Sequence, residues 1–335
     1  MSSTTALQMA DPALAELLTQ RLALVEERLR DAVAQPDAFA DTASRHLVNA
    51  GGKRLRPMLT LLAAQLGDGQ RPEVLDAAVV VELTHLATLY HDDVMDSAPL
   101  RRGAPAAHEV WGNSVAILTG DLLFARASST VAGLGPEAVR IQARAFERLC
   151  LGQLHETIGP QGGEDAVEHY LRVLADKTGS LIATSARFGA MFAGCPPNVV
   201  KQVTEYGEKV GVAFQLADDV IDLSASGAMT GKTPGTDLRE QVATMPVLLL
   251  RARAARPDAL AADRELVELL DSDLSADIDL DEAVLGLRGH AVVAETRALA
   301  VTWAKAAVAE LEPVPAGVVK DALLSFTDAL VDRAT

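Results

Sequence analysis

The chain has 335 residues, 49% hydrophobic and 23% charged, with a formal net charge of −16. That is ample apolar material for a folded core, while the excess of acid repels a nucleic-acid backbone and excludes nucleic acid as a partner. Its two cysteines, Cys150 and Cys195, lie far apart in no ligand spacing, which argues against a disulfide framework and a zinc site and points to a reducing, cytoplasmic setting. Met1 to Glu16 lacks a basic start followed by an apolar run, so it does not read as a secretory signal. The apolar runs Ala77 to Val81 and Val247 to Leu250 end far short of the ~20 residues a membrane crossing needs. No transmembrane segment is expected.

Aromatics are sparse at 4%, alanine and leucine abound, and β-branched alternation is almost absent, so the periodic segments predict helix nearly throughout. Glycine and proline clusters punctuate the chain at Gly67 to Gly69, Gly133 to Pro136, Gly159 to Gly163, Cys195 to Pro197 and Gly231 to Gly235. No linker or fixed-period repeat divides it. The expectation is an all-α protein with one domain over residues 1–335 and a short mobile N-terminus of about ten residues.

In chain order, the first informative stretch is Gly51-Gly52-Lys53-Arg54-Leu55-Arg56-Pro57, three cations and two glycines ahead of an apolar helix over Met58 to Leu66. Glycines permit close backbone approach to an anion, and arginine offers a planar fork that matches phosphate oxygens. Next, Arg71 to Asp96 reads as a core helix, with Pro72 in its first turn and Glu82 as its one charge between Asp76 and the terminal acids. It runs into Asp92-Asp93-Val94-Met95-Asp96, where the i,i+4 spacing places Asp92 and Asp96 on one helix face.

Arg101-Arg102-Gly103 follows, and Lys177-Thr178-Gly179-Ser180 adds another cation among small neighbours. A second apolar helix, Asn198 to Leu223, ends in Asp218-Asp219-Val220-Ile221-Asp222, repeating the i,i+4 pair, with Lys232 beyond it. One acidic helix end is as readily a solvated face. Two matched pairs closing unusually apolar helices ask for cations, and hard carboxylate oxygens without sulfur or imidazole suit Mg²⁺ completed by water and phosphate.

At these residues the sequence resembles the trans-prenyl diphosphate synthase family, and within it the medium- to long-chain bacterial polyprenyl synthases. The matching stretches are Gly51 to Pro57, Leu83 to Asp96, Arg101 to Gly103, Gly120 to Phe124, Lys177 to Leu181 and Phe214 to Asp222, with Gly231-Lys232 and Gly235-Thr236-Asp237 after them. Beyond Ala255 little matches apart from helical character. The resemblance implies a bundle of antiparallel helices around a deep central cavity, the isoprenoid synthase fold, and a homodimer.

The resemblance further implies that isopentenyl diphosphate is condensed with an allylic prenyl diphosphate, by ionisation, attack and proton loss, to give a longer all-trans polyprenyl diphosphate for a quinone side chain. Asp92, Asp96, Asp218 and Asp222 would bind three Mg²⁺ ions. Arg101, Lys177 and Lys232 would contact the allylic diphosphate, Thr178 and Gln215 would lie near the reacting carbons, and Lys53, Arg56, His85 and Arg102 would hold isopentenyl diphosphate. No Ser/His/Asp constellation is apparent, and this chemistry needs no protein nucleophile.

A lone histidine such as His85 on an apolar helix is ordinarily a satisfied core residue, and only the resemblance makes it a ligand. His91 is left without a role, and Gln153 and Glu156, one helical turn apart, are read as structural. Three other readings stand beside elongation. A class I terpene cyclase would not need the basic Gly51 to Pro57 stretch. A helical metal-dependent phosphohydrolase, suggested by the His91-Asp92 dipeptide, would leave the second acid cluster unexplained. A non-catalytic subunit would not need intact acid clusters.

On the family's logic Ala87 and Thr88, just before the first acid cluster, form the cavity wall, with Thr84 and Leu83 a turn deeper, and Ser128 and Ser129 as further contributors to its depth. Small side chains there leave room for a product longer than geranylgeranyl. Ala87→Phe is expected to shorten the product distribution measured by mass analysis; an unchanged distribution would remove the argument from cavity depth.

Overall fold

The computed structural model describes residues 11–224 and 235–331. The expected mobile N-terminus and Lys232 lie outside the described residues. The helices are α1 (Pro12–Ala32), α2 (Ala38–Asn49), α3 (Leu55–Ala64), α4 (Pro72–Met95), α5 (Ala107–Trp111), α6 (Asn113–Gly133), α7 (Pro136–Ile158), α8 (Ala166–Leu174), α9 (Ser180–Phe192), α10 (Pro197–Ser224), α11 (Thr236–Arg239), α12 (Met245–Ala254), α13 (Ala261–Leu270), α14 (Asp277–Arg288), α15 (Ala291–Glu310) and α16 (Val318–Val331). A π-helical turn, Ala175–Gly179, separates α8 from α9. Among the described residues the only strands are β1 (Leu100–Arg101) and β2 (Ala104–Pro105), so the all-α class expected from composition is the class observed.

Local chemistry sets the boundaries. Asp11, Asp37 and Asp165 are extended residues whose carboxylates accept from Leu14 N, Ala40 N and Glu168 N at 2.7, 2.8 and 2.9 Å, satisfying otherwise orphaned donors at the starts of α1, α2 and α8. The glycine and proline clusters at 67–69, 133–136, 159–163 and 195–197 all fall at helix ends or in connections. In the hairpin, Leu100 pairs with Pro105 and Arg101 with Ala104, and the two turn residues, Arg102 and Gly103, both have positive φ (55° and 78°). That is the twist a two-residue antiparallel connection requires.

The chain groups into two compact units, the first formed by residues up to Leu149 with Ser180–Glu208 and Val308–Phe326, the second by Cys150–Gly179, Lys209–Ala307 and the residues from Thr327. In the first, α4 packs along α6 and also meets α3, α9 and α1. Its burial is nearly all-round: Val74, Ala77, Val80, Leu83, Ala87 and Tyr90 are inside, as are the polar Glu82, Thr84, Thr88 and Asp93. Tyr90 fixes α2 by donating its phenol to the Ala43 carbonyl at 2.6 Å and accepting from Leu47 N at 3.3 Å. In the second unit, one core gathers Tyr170, Leu174, Val212, Leu216, Met245 and Ala300, and another gathers Val220, Leu223, Leu250, Leu280, Val284 and Leu287.

The α3–α9 crossing is the tightest glycine contact in the first unit. A Cβ at Gly189 would stand 2.1 Å from the Thr60 carbonyl oxygen and 3.1 Å from the Ala63 methyl, so only hydrogen fits. Gly189→Ala forces the two backbones apart, and we expect it to cost about 1–3 kcal/mol as overpacking. A lowered urea midpoint checks this, and an unshifted midpoint would count against so close an approach.

Candidate active site

In the first unit, the basic Gly51 to Pro57 stretch forms the turn into α3. Its three cations have separate environments. Arg54 is buried in the left-handed region (φ 49°) and donates to Glu82 Oε1 at 2.8 Å, to the carbonyls of Gly51 and Val48 at 3.1 and 3.2 Å, and to Glu26. Lys53 is exposed. Arg56 is half-buried, and its Nε is enclosed with no hydrogen-bond partner among the described residues. Burial lowers the Arg56 pKa to about 10, while Glu82 and Asp92 oppose the shift, so the group stays cationic at neutral pH.

Arg102 reaches into this turn from the hairpin. Its guanidinium donates to the carbonyls of Leu47 (3.3 Å) and Gly51, and it lies so close to Gly52 that a Cβ there would be 2.6 Å from Cζ. His85, one turn beyond Glu82 on α4, is surrounded by positive charge. Burial and then Arg56, Arg102, Arg101 and Arg54 hold its pKa well below the ordinary histidine value, leaving a neutral imidazole. The structure thus brings Arg56, His85 and Arg102 into one electrostatic neighbourhood.

The end of α4 carries the first acid cluster. Asp92 is half-buried in the last turn and Asp96 is the exposed C-cap, its N–H donating to the Asp92 carbonyl at 2.8 Å. Asp93 points the other way: it is fully buried and accepts from Arg101 Nε, while its Oδ2 has no partner among the described residues. Burial raises the Asp93 pKa against the pull of Arg101. Arg101, expected on the allylic diphosphate, is here anchored on Asp93. His91 contacts the Ile117 carbonyl (3.0 Å) and Asp121 Oδ1 (3.4 Å), and nothing in these contacts gives it a ligand role.

The second unit holds the other half of the expected residues. Lys177 and Thr178 sit on the π-helical turn, a wide turn common at functional positions. Lys177 Nζ donates to Glu156 Oε2 at 2.5 Å, and Gln153 Nε2 donates to the same oxygen at 3.1 Å. Residues 153 and 156, read as structural from sequence, therefore position a lysine of the expected site. A Cβ on the neighbouring Gly152 would meet Lys177 N at 2.6 Å. Thr178 Oγ1 donates to Gln215 Oε1 at 3.4 Å, so these two are adjacent as expected.

Asp218 and Asp222 are both half-buried near the end of α10. Asp219 between them is buried, accepting from the Tyr170 phenol (3.0 and 3.1 Å) and from Met245 N (3.1 Å). Burial drives the Asp219 pKa well up, with Asp237 and Asp218 adding to the rise. Asp237 belongs to the same acidic group, its N–H donating to Asp222 Oδ2 at 3.4 Å. Asp93 and Asp219 are the fully buried members of their clusters, whereas Asp92, Asp218 and Asp222 are half-buried and Asp96 is exposed.

The chain-length candidates are small and buried. Thr84 and Thr88 turn their hydroxyls back to the carbonyls of Val80 and His85, both at 2.8 Å, and the Ala87 carbonyl lies against Gly120 of α6. Ser128 and Ser129, allowed from sequence as contributors to depth, are exposed. No three of His, Cys, Asp and Glu converge into a closed cage among the described residues. Each outward pair instead offers oxygen donors only, at the negative end of a long helix, a donor set that fits Mg²⁺ taking one or two carboxylates with water and phosphate.

Residues 37–284 match the description of the polyprenyl synthetase family. The chain is 42% identical over 326 residues to nonaprenyl diphosphate synthase of Mycobacterium tuberculosis, covering 97% of this chain and 96% of that one. It is 32% identical over 234 residues to octaprenyl diphosphate synthase of Escherichia coli, covering 70% and 72%. Polyprenyl synthase of Caulobacter crescentus, solved in complex with calcium and isoprenyl diphosphate, aligns with a TM-score of 0.88 and 33% identity over 96% of this chain and 97% of that chain. The chain therefore belongs to the polyprenyl synthetase family and is a trans-prenyltransferase that elongates prenyl diphosphates.

The depressed His85 pKa has a measurable sign. The unfolded chain takes up a proton as pH falls through about 6.5, the folded chain does not, and stability is lost from there down to the folded pKa. Comparing urea unfolding at pH 7.5 and 5.5, we expect wild type to lose more stability than His85→Gln, by less than ~1.4 kcal/mol per pH unit, the limit for one proton. Equal losses would show that His85 is not held neutral.

Proposed function

We propose that the chain condenses isopentenyl diphosphate with an allylic prenyl diphosphate in the presence of Mg²⁺, giving an all-trans product longer than geranylgeranyl and suited to a quinone side chain. The carrying observation is that Arg56 of α3 and Arg102 of the hairpin turn gather about His85 of α4, the helix that also ends in Asp92 and Asp96. A cation cradle beside a metal-binding pair is what a second diphosphate substrate requires, and a cyclase acting on one diphosphate has no use for it.

In this reading Lys53, Arg56, His85 and Arg102 hold isopentenyl diphosphate, Asp92, Asp96, Asp218 and Asp222 hold metal, and Arg101 contacts the allylic diphosphate. Lys177 and Lys232 serve the leaving group, with Thr178 and Gln215 beside the reacting carbons. When bound, Mg²⁺ supplies Lewis-acid stabilisation of the charge that grows on the departing diphosphate. Lys177 and Arg101 add to that stabilisation as the allylic C–O bond breaks. The hydroxyl and amide oxygens of Thr178 and Gln215 turn the negative ends of their dipoles toward carbon that becomes cationic. The isopentenyl double bond attacks that carbon, and the proton then lost passes to the released diphosphate.

Product length is supported by the small, buried Thr84, Ala87 and Thr88 and by the similarity to nonaprenyl and octaprenyl synthases. A single domain over the chain is supported by the family match, whose residues 37–284 draw on both compact units. A homodimer is supported by α6, which leaves Ile117 and Leu118 41% and 66% exposed along a face continuing through Ala125, Ser128 and Ser129. The same α6 is long and apolar enough to cross a membrane by length and composition, yet it carries Asp121 and Arg126 and packs along α4. A cytoplasmic location is consistent with that packing and with the thiols Cys150 and Cys195, neither in a disulfide.

Mass analysis of products from several allylic starters with isopentenyl diphosphate and Mg²⁺ tests the reading. Elongated diphosphates are expected, and hydrocarbon formed from farnesyl diphosphate alone would instead indicate a cyclase. Asp92→Asn and Asp218→Asn should each lower kcat by about 10²–10³ with circular dichroism unchanged; full activity in either would remove that aspartate from the metal site.

A further inference from the structure

We infer that Arg54, Glu82 and Glu26 form a positioning unit that sets the isopentenyl diphosphate cradle, with Arg54 itself never touching substrate. The inference rests on the cradle assignment above. Arg54 looks from sequence like the third phosphate-binding cation of its stretch, but in the structure its donors are already engaged. Its Nε donates to Glu26, one terminal nitrogen to Glu82 Oε1 (2.8 Å) and the Gly51 carbonyl (3.1 Å), the other to the Val48 carbonyl (3.2 Å) and Glu26 Oε2 (3.5 Å). A planar five-donor fork spent in this way has nothing left for a phosphate.

What these bonds do is shape the turn. The carbonyls of Val48 and Gly51 converge on Arg54, and the residue between Lys53 and Leu55 is held at φ 49°, ψ 38°, a conformation that side-chain-bearing residues keep only where surroundings impose it. Lys53 precedes this residue and Arg56 lies two beyond it in the first turn of α3, so their directions follow from it. Glu82 anchors the arrangement from α4 at 1% exposure, with Arg54 at 5%. Glu82 also opposes the positive charge of Arg56 and Arg102, the two arginines assigned to the diphosphate. One buried carboxylate thus fixes the turn and keeps guanidiniums close together that would otherwise repel.

The Gly51 carbonyl links the parts, because it accepts from Arg54 and from Arg102. Loss of the Arg54 fork would release that oxygen and with it a partner of Arg102. The consequence should fall on isopentenyl diphosphate, since the bonds of Arg54 run to Glu26, Glu82 and the carbonyls of Val48 and Gly51, all at or behind the turn that carries Lys53 and Arg56.

The test replaces the buried pair with apolar residues, Arg54→Met with Glu82→Leu, because exchanging both partners of a buried ion pair commonly preserves folding where removing one does not. Steady-state kinetics should show KM for isopentenyl diphosphate raised about tenfold or more, with KM for the allylic substrate and kcat at saturation within about twofold; a structural role alone would not split the constants this way. A folded double variant with unchanged KM for isopentenyl diphosphate overturns the inference. Should the double variant not fold, Arg54→Lys decides. It keeps the charge and loses the fork, so the same selective rise is expected and its absence is equally fatal. Arg56→Gln serves as the control: if it leaves KM for isopentenyl diphosphate unchanged, the cradle assignment has failed; if it raises KM while the Arg54 variants do not, only the positioning unit has.

Discussion

Two carboxylates buried on the apolar helix α4 constrain everything around them. Glu82 and Asp93 sit where a lone negative charge is costly, and each is tolerated because a guanidinium answers it: Arg54 for Glu82 and Arg101 for Asp93. Those arginines do not come alone. Arg54 brings the turn into α3, and Arg101 brings the hairpin. The pairing that settles the helix electrostatically is therefore the device that gathers the polar groups of the first unit about α4. Breaking one partner of such a pair costs about 3–5 kcal/mol in general, enough to hold a turn and a hairpin in unfavoured backbone conformations.

The second unit repeats the arrangement with different chemistry. Asp219 is buried like Asp93, but its partners are the neutral Tyr170 phenol and Met245 N–H. Without a nearby guanidinium, burial drives its pKa up strongly, whereas Asp93 is raised against an opposing arginine. In both clusters the buried aspartate ties its helix to a neighbouring element, Asp93 to the hairpin through Arg101 and Asp219 to Tyr170 and Met245, and the other carboxylates of the cluster stay more accessible. Both outward pairs also lie where the helix macrodipole is negative, so backbone and side chains alike favour cations at the same place.

Much of this was legible in the sequence. Apolar runs closing in spaced aspartates gave α4 and α10 to within a residue or two, because burial and the i,i+4 rule act locally. Other features depend on residues distant in the chain. Glu82 was visible as the lone charge of its helix, but that its partner is Arg54 rather than a substrate follows from how α3 packs on α4. Gln153 and Glu156 were read as structural since nothing nearby in the chain marks them; only the π-helical turn brings Lys177 to them. The hairpin was missed because two-residue strands carry no periodicity and Arg102 is not among the residues that ordinarily mark such a turn. Ser128 and Ser129 illustrate the converse, since a composition of small residues does not reveal which way they face.

Gly52 of the turn into α3 and the glycines of the connection between α7 and α8 differ in one telling respect. A side chain at Gly52 would strike the Arg102 guanidinium, whereas Gly159, Gly162 and Gly163 have open space around them. The first segment has its carbonyls committed and its length therefore frozen. The second has room at its glycines for added side chains. Geometry alone therefore makes the spacing from Gly51 to Arg56 less tolerant of an added or deleted residue than the stretch Gly159 to Gly163.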